Sequence, residues 1–229
     1  MKRSGRIDSL WPRIAWLDRD SVLVVDLIDE VIGDLKGKEH ALATNMSKGR
    51  AREFIAGRTV ARRALRNLQP SCEAEILIGV GGEPIWPPDI SGSLSHTSSF
   101  VAALVARSCM HPSVGIDLDD PRPIDSHAAR EIMTEDEVAA VLSACWTSDF
   151  AIARNLVFLA KESFFKFQFP LTQIRDLDFD AVRLRASETI GALEVSPRAD
   201  VPIVDGVCRR ARIFVLEIHG VRMCYTVVV

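Results

Sequence analysis

Residues 114–119 have the sequence VGIDLD, which predicts a short apolar strand that ends in two carboxylates. Because successive side chains of a strand point to opposite faces, Asp117 and Asp119 project from the same face. Further along the chain, residues 161–166, KESFFK, predict a helix that carries a third carboxylate, Glu162. Three hard oxygen ligands brought together by a fold would suit Mg²⁺, which binds phosphates while it keeps several waters. The alternative is that the strand-end carboxylates are loop caps or solvated charges.

The composition of the chain excludes several classes of protein. With 229 residues, 48% of them hydrophobic, the chain can form one large domain or two small ones, each with its own core. A net charge of −3 argues against a general nucleic-acid binder. The five cysteines have no CxxC spacing, which favours thiols in a reducing cytosol over a disulfide framework or a zinc site. We therefore expect a cytoplasmic location.

Targeting and membrane segments are not predicted. Residues 1–20 are interrupted by Pro12 and by charged side chains, so they lack the continuous apolar core of a signal peptide. No uncharged apolar window is long enough to cross a bilayer.

Hydrophobic patterning in the first part of the chain predicts strands and one helix-rich region. Residues 21–28, SVLVVDLI, predict a buried strand. Residues 41–68 have largely helical spacing, and Pro70 ends the pattern. The other predicted elements are a strand at 73–80, a turn at 81–84, and two short strands within 93–106 around the loop 95–99.

Pro112 and Ser113 mark a predicted boundary between two parts of the chain. After the strand at 114, we predict a loop at 121–123, helices at 126–144 and 148–169, short strands from Ala181 onward, and a closing hairpin formed by 212–218 and 222–229 around His219-Gly220. Pro170 is expected to end the second helix. A faint similarity between residues 54–58 and 157–161 is compatible with two similar α+β halves.

His96 lies among small hydroxyl residues, which are Ser93, Ser95, Thr97, Ser98 and Ser99. A loop of this kind exposes N–H and hydroxyl groups that can hold phosphate, and the histidine can donate a hydrogen bond to a phosphate oxygen. The alternatives are a turn histidine without function, and the histidine of a Ser-His-acid hydrolase. The chain contains no G-x-S-x-G segment, which disfavours the hydrolase.

Two further charged pairs allow a functional and a structural interpretation. Glu162 and Lys166 are four residues apart, which fits a surface ion pair of a helix. The surrounding phenylalanines indicate a largely buried helix, however, and buried charges need a partner or a role. Arg50 and Arg58 are eight apart and lie roughly on one side of their helix, where they would suit bidentate phosphate contacts or form a solvated basic face.

Four segments carry a resemblance to a known family when they are taken in order. They are GEPIWP at 82–87, GSLSHT at 92–97, VGIDLD at 114–119 and AKESFFK at 160–166. Together they resemble the 4′-phosphopantetheinyl transferase superfamily, in its larger surfactin- and enterobactin-type branch. The match covers roughly residues 48–175. FPLT at 169–172 is similar to enterobactin-type and actinobacterial members.

The resemblance implies both a fold and an activity. The fold would be α/β (α+β), with similar halves at 1–112 and 113–229 related by a pseudo-twofold axis and the active site in the cleft between them. The activity would be Mg²⁺-dependent transfer of the phosphopantetheine arm of coenzyme A to a serine of an acyl, peptidyl or aryl carrier protein, with release of 3′,5′-ADP. This branch tends to serve siderophore and other secondary metabolism, and its members are usually monomers.

The resemblance also implies a role for each candidate residue. Asp117, Asp119 and Glu162 would hold Mg²⁺, with Mn²⁺ as a possible substitute, on the pyrophosphate. Glu162 would deprotonate the incoming serine, directly or through a metal-bound water, and Lys161 would assist the leaving nucleotide. The candidates for binding coenzyme A are Arg50, Arg58, Ser95, His96, Thr97, Lys161 and Lys166.

Two positions depart from the family pattern. Asp119 stands where relatives usually have glutamate, and its shorter side chain is expected to reach Mg²⁺ through water. Gly81 stands where many relatives have lysine, so one phosphate contact is missing or supplied elsewhere. A Mg²⁺-dependent nucleotide phosphoesterase and a non-catalytic coenzyme A or carrier-protein binding module remain the alternatives.

Overall fold

The computed structural model describes residues 12–119, 129, 131–175, 177–198, 205–218 and 220–228. The sequence-based predictions for residues 1–11, for the loop 121–123, for the start of the helix at 126–144 and for His219 lie outside the described residues. No helix in these ranges is long and apolar enough to cross a membrane.

The elements before residue 113 are strands around two helices. In chain order they are β1 (Arg13–Asp18), β2 (Ser21–Leu27), α1 (Lys38–Thr44), α2 (Lys48–Leu68), β3 (Leu77–Ile78), β4 (Pro84–Ile85), β5 (Ile90–His96) and β6 (Phe100–Arg107).

The elements after residue 113 repeat the combination of strands with one long helix. They are β7 (Gly115–Leu118), α3 (Glu135–Ser143), α4 (Phe150–Thr172), β8 (Val182–Ala186), β9 (Ala192–Pro197), α5 (Asp205–Cys208), β10 (Ala211–Ile218) and β11 (Val221–Val228).

The first sheet is antiparallel, with strand order β1-β2-β6-β5, and α2 packs against it. Val60 and Ala64 of α2 contact a core that includes Val22 and Val105. The predicted strand at 21–28 and the two strands within 93–106 are confirmed as β2, β5 and β6. Ser47 begins α2 as its cap, because its hydroxyl accepts the backbone N–H of Arg50.

The second sheet has the order β7-β11-β10-β9-β8, and α4 packs against it. Phe164 and Phe167 of α4 share a core with Leu193 and Ile213. The predicted closing hairpin is confirmed by the regular pairing of β10 with β11. The fold is therefore α+β, as predicted, and the pseudo-twofold relation between the halves stays a prediction.

The expectation that Pro170 ends the second long helix is wrong, because α4 continues to Thr172. A proline near the end of a helix removes only one backbone hydrogen bond, and the remaining turn can still form. The backbone N–H of Gln173 donates to the carbonyl of Phe169 at 2.8 Å, and Gln173 takes a left-handed conformation that ends the helix.

The two sheets meet along β5 and β7 through serine side chains. The hydroxyl of Ser93 accepts the backbone N–H of Ile116 at 3.1 Å, and that of Ser95 accepts the N–H of Leu118 at 3.2 Å. A third hydrophobic core lies behind this joint and contains residues of both sheets, among them Leu23, Leu104, Ile116 and Met223. The halves thus share this core in addition to the separate core of each half.

Gly115 allows α4 to approach β7 closely. A Cβ atom at this position would overlap the carbonyl oxygen of Ser163 and would lie 2.9 Å from the backbone nitrogen of Phe167. The missing side chain therefore sets the spacing between the strand that carries Asp117 and the helix that carries Glu162.

Arginines of α2 hold the segment that leads into β3. The fully buried Arg62 donates to Glu39 and to the carbonyls of Asp34 and Ala74. Arg58 donates to the carbonyls of Ile76 at 2.8 Å and Leu77 at 3.3 Å. These bonds fix the β3–β4 hairpin against α2.

Candidate active site

A cavity of about 660 Å³ lies between the two halves. Its walls come from α2, β5 and the β3–β4 turn on one side, and from β7, α4 and the segment after α4 on the other. Six of the ten candidate residues predicted from the sequence line it, namely Arg50, Arg58, Ser95, His96, Asp117 and Lys166. A cavity of this size suits a cofactor-sized ligand.

Asp117 is the centre of a small polar cluster in this cavity. Its Oδ1 atom accepts the Ser95 hydroxyl at 2.7 Å and the Lys166 ammonium at 2.6 Å. Lys166 also donates to the carbonyl of Ile116 at 3.1 Å. Ser95 comes from the first half and Lys166 from the second, so the cluster exists only because β5 and α4 flank the same strand.

Glu162 is influenced by the charges of Asp117 and Lys166. It lies one helical turn before Lys166, on the same side of α4. Burial and the neighbouring charge of Asp117 raise the pKa of Glu162, and Lys166 opposes this shift. The charge of Asp117 therefore adds to burial in disfavouring the ionised form of Glu162.

Asp119 follows the end of β7 and interacts with β11. Its backbone N–H donates to the carbonyl of Arg222 at 2.8 Å, and its Oδ2 atom accepts the Arg222 guanidinium at 3.2 Å. Burial and the charges of Asp117 and Asp119 raise the pKa of Cys224, which lies behind this strand end. Asp117 lines the cavity and Asp119 is outside its lining, so the prediction that both aspartates serve one metal site stays a prediction.

Within the described ranges, no three His, Cys, Asp or Glu side chains are arranged so that they could hold a metal ion. The chemistry of the carboxylates nevertheless fits a hard cation. Asp117 receives both of its hydrogen bonds at Oδ1, which leaves Oδ2 available. A cation beside Asp117 and Glu162 would also offset the charge of Asp117, which, after burial, contributes to the raised pKa of Glu162.

Arg50 and His96 lie at the exposed end of the cavity, on either side of Glu53. Arg50 donates to Glu53 at 3.2 Å, and His96 Nε2 lies 3.6 Å from the same carboxylate oxygen. Both side chains are accessible to a ligand from the open side.

Arg58 is buried deeper in the same wall. Its guanidinium packs 4.4 Å from the ring centroid of Phe54 and donates to backbone carbonyls of the β3 segment. Burial lowers the pKa of Arg58 to about 10, with the positive charges of Arg50 and Arg62 contributing, while Glu39 opposes the shift. Arg58 therefore remains charged at neutral pH and combines a structural role with exposure to the cavity.

Lys161 does not line the cavity, and this placement does not support its predicted contact with the leaving nucleotide. Its side chain is fully buried on another side of α4, where the ammonium lies 2.8 Å from Glu137 and donates to the carbonyls of Ile132 and Phe179. Three partners use all three ammonium protons. Burial lowers the pKa of Lys161, and Glu137 counteracts this effect.

Thr97 also lies outside the cavity lining. Its hydroxyl accepts the backbone N–H groups of Ser99 and Phe100, at 3.2 and 3.0 Å. This is a local turn between β5 and β6, so the structure gives Thr97 a role in shaping the loop that follows His96.

Several lining residues were not predicted from the sequence. Trp86 packs on Gly92, where a Cβ atom would lie 2.6 Å from the indole ring. Phe165 and Phe169 line the wall formed by α4, and Arg175 follows them. Phe165 and Phe169 are four residues apart and flank Lys166, so their spacing could have placed them on the face of α4 that lines the cavity. Nothing in the sequence indicates Arg175.

Comparison with known proteins agrees with this arrangement. Residues 38–106 match the family model described as the 4′-phosphopantetheinyl transferase N-terminal domain. Over 187 residues the chain is 30% identical to the 4′-phosphopantetheinyl transferase Svp of Streptomyces mobaraensis, a match that covers 79% of this chain and 73% of the relative. The chain belongs to the 4′-phosphopantetheinyl transferase family.

Two more relatives define the branch of this phosphopantetheinyl transferase. It is 37% identical over 147 residues to the 4′-phosphopantetheinyl transferase Npt of Nocardia iowensis, with 61% of this chain and 62% of the relative covered. It is 30% identical over 155 residues to enterobactin synthase component D of Escherichia coli (strain K12), with 66% and 70% covered. The resemblance drawn from the four motifs, including its enterobactin-type branch, is confirmed.

Proposed function

We propose that this phosphopantetheinyl transferase moves the 4′-phosphopantetheine arm of coenzyme A to a serine of an apo acyl, peptidyl or aryl carrier protein. The product released with the holo carrier is 3′,5′-ADP. The observation that carries this proposal is the cluster of Asp117, Ser95 and Lys166 in a cavity between the two halves. Membership in the family supports the reaction type.

Binding of coenzyme A uses the cations along the cavity. His96 and Lys166 contact the pyrophosphate, next to Asp117. Arg50 and Arg58 bind phosphate groups of the 3′-phospho-ADP portion from the wall formed by α2. Phosphoryl transfer depends mainly on alignment and charge neutralisation, which these side chains supply from both halves.

The bond changes take place at the phosphorus that carries the pantetheine arm. The serine oxygen of the carrier attacks this atom, and the bond to the bridging oxygen breaks, so that its electrons leave with 3′,5′-ADP. Glu162 accepts the serine proton, directly or through water. A raised pKa makes a carboxylate a better base, which supports Glu162 in this role.

Mg²⁺, or Mn²⁺ in its place, is part of the proposal. Asp117, Asp119 and Glu162 form no ready three-residue metal site among the described residues, so their side chains would have to come together around the ion. When bound, the ion supplies charge neutralisation for the pyrophosphate oxygens. Lys166 and Arg222 hold the two aspartates, so each aspartate would have to share its oxygens between a side-chain cation and the metal.

A cytoplasmic location is also proposed. No disulfide joins any of the five cysteines, which is compatible with a reducing compartment.

The direct test is a transfer reaction with the purified chain, coenzyme A, Mg²⁺ and an apo carrier protein, followed by mass spectrometry of the carrier. We expect the mass to increase by one phosphopantetheine group, and we expect omission of Mg²⁺ to prevent this. Asp117→Asn should abolish transfer, because it keeps the shape of the side chain and removes its charge. Glu135→Gln is the matched control, since Glu135 is 81% exposed and lies outside the cavity.

The alternatives give different products. Hydrolysis of coenzyme A without a carrier adduct would indicate a phosphoesterase that uses water as the nucleophile. Binding of coenzyme A without any turnover, with several carriers, would indicate a non-catalytic binding module. Either result would overturn the proposed transfer.

A further inference from the structure

Arg175 lies at the edge of the cavity and has no part in the reaction described above. It belongs to the segment after α4, in the second half, and it lines the cavity together with the β3–β4 turn of the first half. Its guanidinium lies 5.8 Å from the ring centroid of Phe169, which supports the side chain from below.

The guanidinium of Arg175 reaches across the cleft to Gly81. A Cβ atom at Gly81 would lie 2.8 Å from Arg175 Nη2 and 2.5 Å from Glu83 Oε2. The Arg175 guanidinium and the Glu83 carboxylate therefore share the space into which a side chain at position 81 would extend. Because Gly81 has no side chain, a cation from the second half completes this wall of the first half.

The other cations that line the cavity already have partners within the protein. Arg50 is paired with a carboxylate, Arg58 with backbone carbonyls, and Lys166 with Asp117. Arg175 forms no ion pair with any carboxylate in the part of the chain that the structure describes. A guanidinium in this state, at the wall of a cavity, is well suited to a bidentate contact with phosphate.

The position of Arg175 indicates which phosphate it would meet. The pyrophosphate is assigned to the cluster around Asp117, at the joint of the two sheets. Arg58 belongs to the other wall, because it donates to the carbonyl of Leu77, and Leu77 pairs with Ile85 in the β3–β4 hairpin. Gly81 is in the turn of that same hairpin, so Arg175 and Arg58 approach the same end of the cavity.

We propose that Arg175, whose guanidinium reaches into the space beside Gly81, binds the 3′-phosphate of coenzyme A and makes the enzyme select coenzyme A over dephospho-coenzyme A. This inference rests on the proposed function only for the identity of the ligand. Recognition of the 3′-phosphate then requires both halves, Arg58 from the first and Arg175 from the second.

The experiment is a calorimetric titration of the full chain with coenzyme A and with dephospho-coenzyme A, which lacks the 3′-phosphate. Arg175→Ala should weaken binding of coenzyme A about tenfold and leave binding of dephospho-coenzyme A unchanged. Arg154→Ala is the control, because Arg154 is 44% exposed, lies on α4 and is outside the cavity. The control should bind both ligands as the wild type does.

A second variant tests the space at Gly81. In the Arg175→Ala background the guanidinium is gone, and a side chain at position 81 has only the flexible end of Glu83 to displace. Gly81→Lys should therefore restore most of the preference for coenzyme A. Restored preference supports the assignment through a readout that a merely structural arginine would not give. An equal loss of affinity for both ligands in Arg175→Ala, or no loss for either, would overturn it.

These measurements are separate from the test of transfer. A wild-type chain that prefers coenzyme A through Arg175 but never modifies a carrier would refute the proposed function and leave the phosphate contact standing. A chain that transfers phosphopantetheine equally well from coenzyme A and dephospho-coenzyme A, with equal affinities, would refute the role of Arg175 and leave the transferase standing.

Discussion

The charged form of Glu162 lowers the stability of the folded protein. Burial and the charge of Asp117 raise its pKa, so the folded state holds this proton more tightly than the unfolded chain does. Its contribution to stability is therefore fully present below the unfolded pKa and is lost as pH rises through the raised folded pKa. A carboxylate retained in such a position is a candidate for function.

Glu162→Gln should raise the thermal midpoint at neutral pH and abolish transfer. The amide keeps the shape of the side chain, removes the repulsion with Asp117, and can neither accept the serine proton nor supply a charged metal ligand. Melting curves at acidic and neutral pH, with transfer assays on the same samples, would measure both effects. The gain in stability should shrink at acidic pH, where the wild-type carboxylate is protonated.

The raised pKa of Glu162 also predicts how the transfer rate of the wild-type enzyme depends on pH. If the charged form of Glu162 is the base, the transfer rate should increase as pH rises through its raised pKa. If Glu162→Gln transferred at the wild-type rate and were less stable than the wild type, Glu162 would only pair with Lys166.

Lys161 is expected to matter for stability and not for binding of coenzyme A. Lys161→Met leaves Glu137 buried without its counter-ion, which should lower the free energy of unfolding by about 3–5 kcal/mol. Adding Glu137→Gln should recover part of this loss. Urea unfolding gives the stabilities, and the KM for coenzyme A should stay near the wild-type value. A large rise in KM at unchanged stability would restore Lys161 to the site.

Helix geometry explains why the sequence could not separate Lys161 from its neighbours. Each residue turns an α-helix by about 100°, so Glu162 and Lys166 share one face while Lys161 points elsewhere. The motif identified the helix and its position in the chain. Which of its charges faces the cleft depends on how α4 is rotated against β7, and that rotation is set by packing.

At the scale of the elements, the contact between β7 and α4 depends on a single glycine. Gly115→Ala places a methyl group against the carbonyl of Ser163, and neither backbone can move without repacking the core. We expect a loss of about 3 kcal/mol or more in the free energy of unfolding, together with a loss of transfer. Chemical denaturation and a transfer assay would measure the two losses.

The matched control for this change is Gly49→Ala. Gly49 lies in the first turn of α2. Apart from its chain neighbours and the backbone of its own helix, no atom of the described residues lies within 4 Å of the position that a Cβ atom would take there. Alanine should therefore stabilise the helix by about 0.5–1 kcal/mol. If Gly115→Ala were as harmless as the control, the close approach of strand and helix would not be what positions the site.

Elements with a regular spacing of hydrophobic residues could be predicted from the sequence. Elements whose limits depend on long-range side-chain hydrogen bonds could not. The patterns for β2, α4 and the β10–β11 hairpin were sufficient, because hydrophobic spacing reflects the face that each element buries. The strand predicted at 73–80 is reduced to Leu77–Ile78. Arg58 and Arg62 take the carbonyls of this segment that strand pairing would have used, and such long-range bonds leave no local pattern.

At the scale of the whole molecule, the side-chain hydroxyls of Ser93 and Ser95 join the two sheets, and they differ in their contact with Asp117. Ser93→Ala and Ser95→Ala should each lower the free energy of unfolding by about 1–3 kcal/mol, because each leaves a buried backbone N–H without an acceptor. Only Ser95→Ala should also reduce transfer, since of the two serines it is Ser95 that donates to Asp117. Equal losses of transfer in the two variants would show that the hydrogen bond from Ser95 to Asp117 is not needed for the reaction.

The double use of the Ser95 hydroxyl has a spectroscopic consequence. The oxygen that accepts the N–H of Leu118 is the same oxygen that donates its proton to Asp117. A ligand that changes the charge on Asp117 therefore alters the polarisation of that hydroxyl and, through it, the amide of Leu118, which the ligand never touches. In an NMR spectrum of an isotope-labelled sample, the amide chemical shift of Leu118 would then report whether a ligand occupies the cavity, although Leu118 lies between the sheets.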